Sequence, residues 1–169
     1  MSTRQIHVFI SHAWAHSGHY DTLASWIFGE NWSVGQASLD LRNFSIPKDD
    51  PIHNVTSTLQ LKNAIHNQIA RSHVIVIPTG MYAAYSNWIQ KEIEGSKQYA
   101  KPILAVNPWG QQKNAEVVTS NADQSVGWAK QSVINGIWNL YYTQNKWCHY
   151  MLPTIDNNKD LPGLYQAAD

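Results

Sequence analysis

The chain has few of the features that mark membrane, secreted or nucleic-acid-binding proteins: it has one cysteine, few charges and no long apolar run. A lone Cys148 cannot form an internal disulfide bond, so the sequence predicts a reducing, cytoplasmic location. Charged residues make up 14% of the chain, with 12 basic and 12 acidic side chains, against roughly 25% in soluble domains. Zero net charge without a basic run argues against a nucleic-acid partner. No stretch approaches the ~18 apolar residues of a membrane span, and the first apolar run is too short for a secretory signal.

Aromatic residues and histidine take the place of the missing charges, with 8 Trp, 8 Tyr, 3 Phe and 8 His in 169 residues. A composition this rich in aromatics, without low-complexity tracts, argues against disorder. A chain of this length is typical of one domain with a substantial buried core. We therefore predict a single domain over residues 1–169.

Apolar runs typical of buried strands alternate with segments of helical periodicity. The predicted strands are His7–Ser11, Val34–Leu39, His73–Pro78 and Pro102–Val106, and the predicted helices are His19–Asn31, about Leu59–Ser72 and Ser86 to about Ala100. Leu41–Thr58 is predicted as a long loop, Ser125–Tyr142 as a helix and Lys146–Asp169 as an irregular tail. This alternation predicts a flavodoxin-like three-layer α/β/α sandwich with a parallel sheet.

Ligands of such sheets bind beyond the carboxyl ends of the strands, which directs attention to the loops Ser11–Gly18, Asp40–Thr58, Thr79–Asn87 and Asn107–Gln112. Ser11–Gly18 lacks the acidic pair of a phosphoacceptor receiver, the small polar residues of a flavodoxin phosphate loop and the glycines of a dinucleotide fingerprint. His12, His16 and His19 have a spacing that a helix could gather around a metal ion, but residue 13 is Ala where zinc enzymes often have Glu. We therefore expect no metal, and histidines that lie near a ligand pocket or on the surface.

The third predicted helix contains a glutamate beside an apolar stripe. Trp88 and Glu92 are four residues apart and therefore share one face, next to the isoleucines predicted to pack on the sheet. A carboxylate at the edge of a buried face, flanked by an indole, is expected to need a polar partner. The alternative is an ordinary boundary glutamate paired with Lys91 or Arg71.

Five segments, read together, resemble the Toll/interleukin-receptor (TIR) family. They are Val8–His12 for its first strand, Ser38–Asp40 before a proline-containing loop, Ser72–Pro78 for its central strand, Tyr85–Ile93 for its Ser-x-Trp-x-x-x-Glu helix and Lys101–Val106 for the following strand. The resemblance covers about residues 5–110 and implies a TIR-like core there, with a fifth-strand and helix region and a C-terminal extension over 111–169. Within this family, the short form with an extended tail is similar to the bacterial TIR-like proteins of the Thoeris anti-phage system.

The resemblance implies an NAD-cleaving enzyme that needs no cofactor beyond NAD as its substrate. Such proteins release nicotinamide and make an ADP-ribose-derived nucleotide that diffuses to a separate effector. Glu92 would be the catalytic carboxylate. Enzymatic TIR domains often build their pocket across two protomers, which is consistent with self-association.

The resemblance also assigns substrate-binding residues. Phe9, Ser11 and His12 would line the nicotinamide and ribose side, and Trp88 would pack beneath Glu92 or contact the ligand. At the start of the long loop it places Asp40, Arg42 and Asn43, with Arg42 against the pyrophosphate and Asp40 alternatively a strand-end cap. Two other readings stay open: a non-enzymatic TIR-like assembly module, and a small nucleotide- or flavin-binding protein.

Overall fold

Strands and helices alternate along residues 2–11, 17–46, 57–108 and 116–151, the part of the chain that the computed structural model describes. Its elements are β1 (Ser2–Ile10), α1 (Ser17–Phe28), β2 (Trp32–Val34), β3 (Ala37–Asn43), α2 (Thr58–Arg71), β4 (Val74–Pro78), α3 (Tyr82–Gln98), β5 (Ile103–Asn107), α4 (Glu116–Thr119), β6 (Gln124–Gly127) and α5 (Lys130–Met151). A short 3-10 turn, Thr79–Met81, joins β4 to α3.

The strands form a six-stranded sheet in the order β2-β3-β1-β4-β5-β6. All neighbouring pairs are parallel except β2 with β3, which is antiparallel. The predicted α/β sandwich with a parallel sheet is therefore confirmed, and the edge strand β2 adds one antiparallel pair to it. β1 and β4 occupy the centre, as the continuous apolar runs of these two segments predict.

Both faces of the sheet are covered, because successive residues of a strand point to opposite sides. In β4, Val74 and Val76 face the α1 and α5 side, while Ile75 and Ile77 face the α2 and α3 side. The first core includes Ile6, Val8, Ile10, Leu23, Ile27, Val133, Ile134 and Ile137. The second includes Phe9, Ile46, Ile65, Ile69, Ile89, Ile93, Ile103 and Val118.

The predicted strand Val34–Leu39 begins too early, because the chain reverses direction between Val34 and Ala37. Gly35 has φ +58°, and the pairing of Val34 with Ala37 makes Gly35 and Gln36 the two-residue turn of a hairpin. Such turns need a positive φ, which glycine adopts at little cost. The result is an additional edge strand, β2, and a third strand that continues to Asn43 instead of ending at Asp40.

The segment after β5 also differs from its prediction. The predicted helix Ser125–Tyr142 starts too early, because Gln124–Gly127 pairs in parallel with β5 as the edge strand β6 and the helix begins at Lys130. That helix continues to Met151, so residues 146–151 of the predicted irregular tail are helical, and residues 152–169 lie outside the described part. The third predicted helix begins at Tyr82, four residues before Ser86. In the described part of the chain, no helix is both long and apolar enough to span a membrane.

Candidate active site

The buried face of α3 holds the glutamate that the sequence singles out. Ile89 and Ile93 on this face enter the second core, and Glu92 between them is 0% exposed, deeper than the boundary position expected. The indole Nε1–H of Trp88 donates a hydrogen bond to Glu92 Oε1 at 2.7 Å. A buried carboxylate is stabilised by donors of this kind, so the predicted need for a polar partner is met one helical turn away.

The residues beside Glu92 have different partners. Glu94 is exposed and accepts from Lys62 Nζ at 2.9 Å, a contact that lowers the pKa of the Glu94 carboxyl. Lys91 Nζ donates to the carbonyl of Asn87 at 3.2 Å. The hydroxyl of Ser96 donates to the carbonyl of Glu92 itself at 2.7 Å. The two glutamates of this helix therefore differ sharply: one is an ordinary surface ion pair and the other is enclosed.

Phe9, Trp88 and Glu92 lie on the same side of the sheet. Phe9 is 1% exposed in the core between the sheet and α2 and α3, and Trp88 packs against that core. Ser11 follows the end of β1, where its N–H donates to the carbonyl of Val76 at 2.8 Å, and its side chain is fully buried. The phenyl ring of Phe9, the indole of Trp88 and the carboxylate of Glu92 therefore all lie on the α2 and α3 side of the sheet.

Asp40 and Arg42 lie elsewhere, within β3 instead of in the loop after it. Arg42 Nε and Asp40 Oδ1 are 2.9 Å apart, and this hydrogen bond lowers the pKa of the Asp40 carboxyl. Asp40 pairs with Gln5 in the register of β1, five residues before Ile10. At ~3.3 Å per residue that is about 17 Å from the carboxyl end of the strand. The structure therefore does not bring Asp40 to Glu92, and its strand-cap alternative does not apply.

Asn43 is the last residue of β3 and faces the opposite layer. Its amide Nδ2 donates to the hydroxyl of Tyr20 on α1 at 3.1 Å, and its Oδ1 accepts from the N–H of Ser45 at 2.9 Å. Tyr20 belongs to the core on the α1 and α5 side. The sheet thus separates Asn43 from Glu92, and the bonds of Asn43 turn the chain after β3.

His12 and His16 lie outside the described residues, so their placement beside Ser11 stays a prediction. His19 is described and packs its ring against Trp128 at 5.0 Å. Within the described ranges, no three His, Cys, Asp or Glu side chains gather closely enough to hold a metal ion.

The strand-end loops named from the sequence contain polar residues near this core that the sequence reasoning did not single out individually. Ser45 Oγ is buried and accepts the N–H of Ile10 at 2.9 Å, and Thr79 Oγ1 donates to Asn107 Oδ1 at 3.0 Å. Each follows or ends a strand, which is the signal that could have identified them. His66 on α2 is also buried, and nothing in its local pattern distinguishes it from surface polar residues.

A groove of about 660 Å³ opens at the amino ends of β5 and β6. It is lined by residues including Lys97, Lys101, Asp123, Asn139 and Gln144. Its walls include none of the predicted site residues, so the groove and the Glu92 site are separate features of the fold.

Comparison with known proteins gives a family match and weak structural likenesses. The chain is similar in structure to a CMP N-glycosidase, BcmB, of Clostridium botulinum, with 11% identity over 80% of this chain and 98% of that one and a TM-score of 0.47. It is also similar to elongation factor SelB of Methanococcus maripaludis bound to a GTP analogue, with 10% identity over 86% of this chain, 35% of that one and a TM-score of 0.52. The second likeness shows a shared α/β fold alone, and the first carries no conclusion.

No curated protein matches the sequence. The model of the Thoeris protein ThsB, TIR-like domain, matches residues 9–113. This stretch runs from the last two residues of β1 to beyond the end of β5 and includes α3 with Trp88 and Glu92. Since it spans more than half of the 169 residues, the chain belongs to the family of Thoeris ThsB proteins and contains their TIR-like domain.

Proposed function

We propose that this protein cleaves NAD at the bond between nicotinamide and ribose and produces an ADP-ribose-derived signal nucleotide. The observation that carries the proposal is the fully buried carboxylate of Glu92, which accepts the Trp88 indole N–H at 2.7 Å. Membership of the Thoeris ThsB family supports it, and so does the resemblance of Tyr85–Ile93 to the Ser-x-Trp-x-x-x-Glu helix, whose Glu is catalytic in NAD-cleaving TIR enzymes and matches Glu92.

One carboxylate is sufficient for this reaction. The nicotinamide ring of NAD is already cationic, so the electron pair of the breaking C–N bond neutralises the ring nitrogen and no acid is needed. Positive charge develops on the ribose, and a nearby carboxylate stabilises it most strongly where water is excluded. When water attacks the ribose carbon and loses a proton, the products are nicotinamide, ADP-ribose and that proton. Attack by a ribose hydroxyl of the same molecule gives a cyclic isomer instead.

The proposal includes the setting of the reaction. NAD is the substrate and no additional cofactor is required, the product diffuses to a separate effector, and the enzyme works in the cytoplasm. Phe9, Ser11 and His12 are proposed to contact the nicotinamide and ribose, and Trp88 to orient Glu92. Asp40, Arg42 and Asn43 lie away from Glu92, so their proposed contacts are with the part of the substrate beyond the ribose, with Arg42 against the pyrophosphate.

The test is nicotinamide release from NAD, with the product identified by its mass. Glu92→Gln keeps an amide oxygen that accepts the Trp88 N–H and removes the negative charge, so we expect release to fall by on the order of 100-fold or more. Glu94→Gln is the matched control, because Glu94 is on the same helix but exposed and paired with Lys62. It should retain wild-type release. No release by the wild-type protein, with phage-derived activators supplied, or full activity of Glu92→Gln, would contradict the proposal and favour an assembly module.

A further inference from the structure

The helix turn that carries Glu92 is contacted by a histidine from the neighbouring helix. His66 lies on α2, is 6% exposed, and its Nε2 is 3.1 Å from the carbonyl oxygen of Lys91. A carbonyl oxygen only accepts hydrogen bonds, so Nε2 carries the proton and donates. Lys91 immediately precedes Glu92, and this bond therefore reaches the backbone at the catalytic turn.

A glycine makes this approach between the helices possible. A Cβ placed on Gly95 would lie 2.9 Å from His66 Cδ2 and 3.1 Å from His66 Nε2. Contacts under 3.0 Å are not sustained by ordinary side chains, so any larger residue at 95 would push the imidazole away. Tyr99, immediately after the end of α3, makes an edge-to-face contact with the His66 ring, with 6.1 Å between ring centroids.

Two side-chain donors thus act on adjacent carbonyls of one helical turn. The Lys91 carbonyl, which an α-helix normally offers to residue 95 alone, also receives His66 Nε2–H. The Glu92 carbonyl receives the Ser96 hydroxyl at 2.7 Å. Extra donors of this kind tilt carbonyls and bend a helix locally. The direction in which the Glu92 side chain leaves the backbone depends on that local geometry.

We propose that His66 is a positioning residue: its hydrogen bond to the Lys91 carbonyl, made possible by Gly95, sets the backbone of the turn that aims the Glu92 carboxylate. This inference rests on the proposed function of Glu92. A misplacement of ~1 Å in a catalytic group can cost on the order of 100-fold in rate. The effect of removing the bond is therefore expected in kcat, with little change in KM.

The experiment compares three substitutions at one position. His66→Gln keeps a side-chain N–H at the distance of Nε2, His66→Asn is one methylene shorter and cannot reach, and His66→Leu has no donor. We expect kcat for nicotinamide release to fall by about 10-fold or more in the Leu and Asn variants and to be restored in the Gln variant, with KM unchanged. His73→Leu is the control, because His73 also bonds a main-chain group, the N–H of His7, away from α3. It should keep wild-type kcat.

A second readout does not depend on activity. The Trp88 indole N–H bonded to Glu92 gives a resonance in a protein labelled with nitrogen-15 at tryptophan, identified by its loss in Trp88→Phe. The Leu and Asn variants should shift this resonance, and His66→Gln and His73→Leu should not.

The outcomes separate the two proposals. Unchanged kcat and an unmoved Trp88 resonance in His66→Leu and His66→Asn would overturn the positioning role. An equal loss of kcat in all three His66 variants, or a similar loss in His73→Leu, would also overturn the positioning role, because it would reflect packing alone. If the wild-type protein releases no nicotinamide, or if Glu92→Gln remains active, the proposed NAD cleavage is contradicted. The Trp88 resonance then decides by itself whether His66 sets the backbone of this turn.

Discussion

His73, at the junction of β1 and β4, shows how one side chain makes stability depend on pH. Its Nδ1 accepts the N–H of His7 at 2.9 Å, and the two rings stack at 4.7 Å. Tyr141 on α5 contacts the ring edge at 5.4 Å. Burial, followed by the charges of His7 and Lys101, lowers the pKa of His73 below its ordinary value of 6.5. Protonation would also remove the nitrogen that accepts the His7 N–H.

We therefore predict that the folded protein loses stability as the pH falls below about 6.5. In that range the unfolded chain binds a proton at residue 73 that the folded protein resists, so the free energy of unfolding decreases toward the folded pKa. Urea unfolding at about pH 7.5 and about pH 5.5 measures the change. His73→Asn keeps an acceptor near the position of Nδ1 and does not titrate, so its decrease should be smaller. Equal decreases in both proteins would show that other groups cause the effect.

The candidate site was predictable from sequence only in part. Trp88 and Glu92 are four residues apart on one helix, so their contact follows from local geometry. The contact of His66 with the Lys91 carbonyl joins two helices, and no spacing along the chain predicts it. Asp40 and Asn43 are three residues apart on β3 and face opposite sides of the sheet, because strand residues alternate.

At the scale of single elements, the end of α3 carries a conformational cost. Ala100 follows this helix with φ +50°, the left-handed conformation in which the Cβ of a non-glycine residue is strained. Its carbonyl accepts from Gln144 Nε2 on α5 at 2.9 Å, which ties the helix end to its neighbour.

We predict that Ala100→Gly raises the free energy of unfolding by about 0.5–1 kcal/mol, because glycine adopts this conformation without strain. The same substitution at Ala64, inside α2, should lower it by about 1 kcal/mol, since it weakens a regular helix. Chemical denaturation of the two variants measures both values. A loss of stability in Ala100→Gly would mean that the flexibility it adds to the unfolded chain outweighs the strain it removes.

The elements whose prediction failed are the two edges of the sheet. The central strands β1 and β4 contain apolar runs long enough to identify them, whereas β2 has three residues and β6 has four. A strand this short depends on pairing with its neighbour, which is β3 for β2 and β5 for β6. It contains too few residues to show an apolar pattern that identifies it in the sequence. Gly35 was the sequence signal from which the hairpin turn could have been predicted.

At the scale of the whole molecule, two apolar cores share one sheet, so we predict that they unfold together. Ile10 belongs to the α1 and α5 side and Ile75 to the α2 and α3 side, and both are 0% exposed. Ile10→Val and Ile75→Val should each lower the free energy of unfolding by about 1 kcal/mol.

The tryptophans allow a sharp test of this cooperativity. Trp26, Trp32, Trp128 and Trp138 pack on the α1 and α5 side and Trp88 on the other, so among the tryptophans whose packing is described most report on the first core. Ile75→Val, on the other side, should still shift the fluorescence midpoint as much as the circular dichroism midpoint. A shift in dichroism alone would show that the two faces unfold separately.

The sequence by itself determined the alternation of strands and helices, the apolar centre of the sheet and the shared face of Trp88 and Glu92. These features are local, since they depend on periodicities of two and about 3.6 residues along the chain. The tertiary structure decided the full burial of Glu92, the contact of His66 with its helix, the separation of Asp40 and Asn43 from it, and the two edge strands. Those features arise where segments distant in sequence meet, and their packing and hydrogen bonds exist only after the sheet has formed.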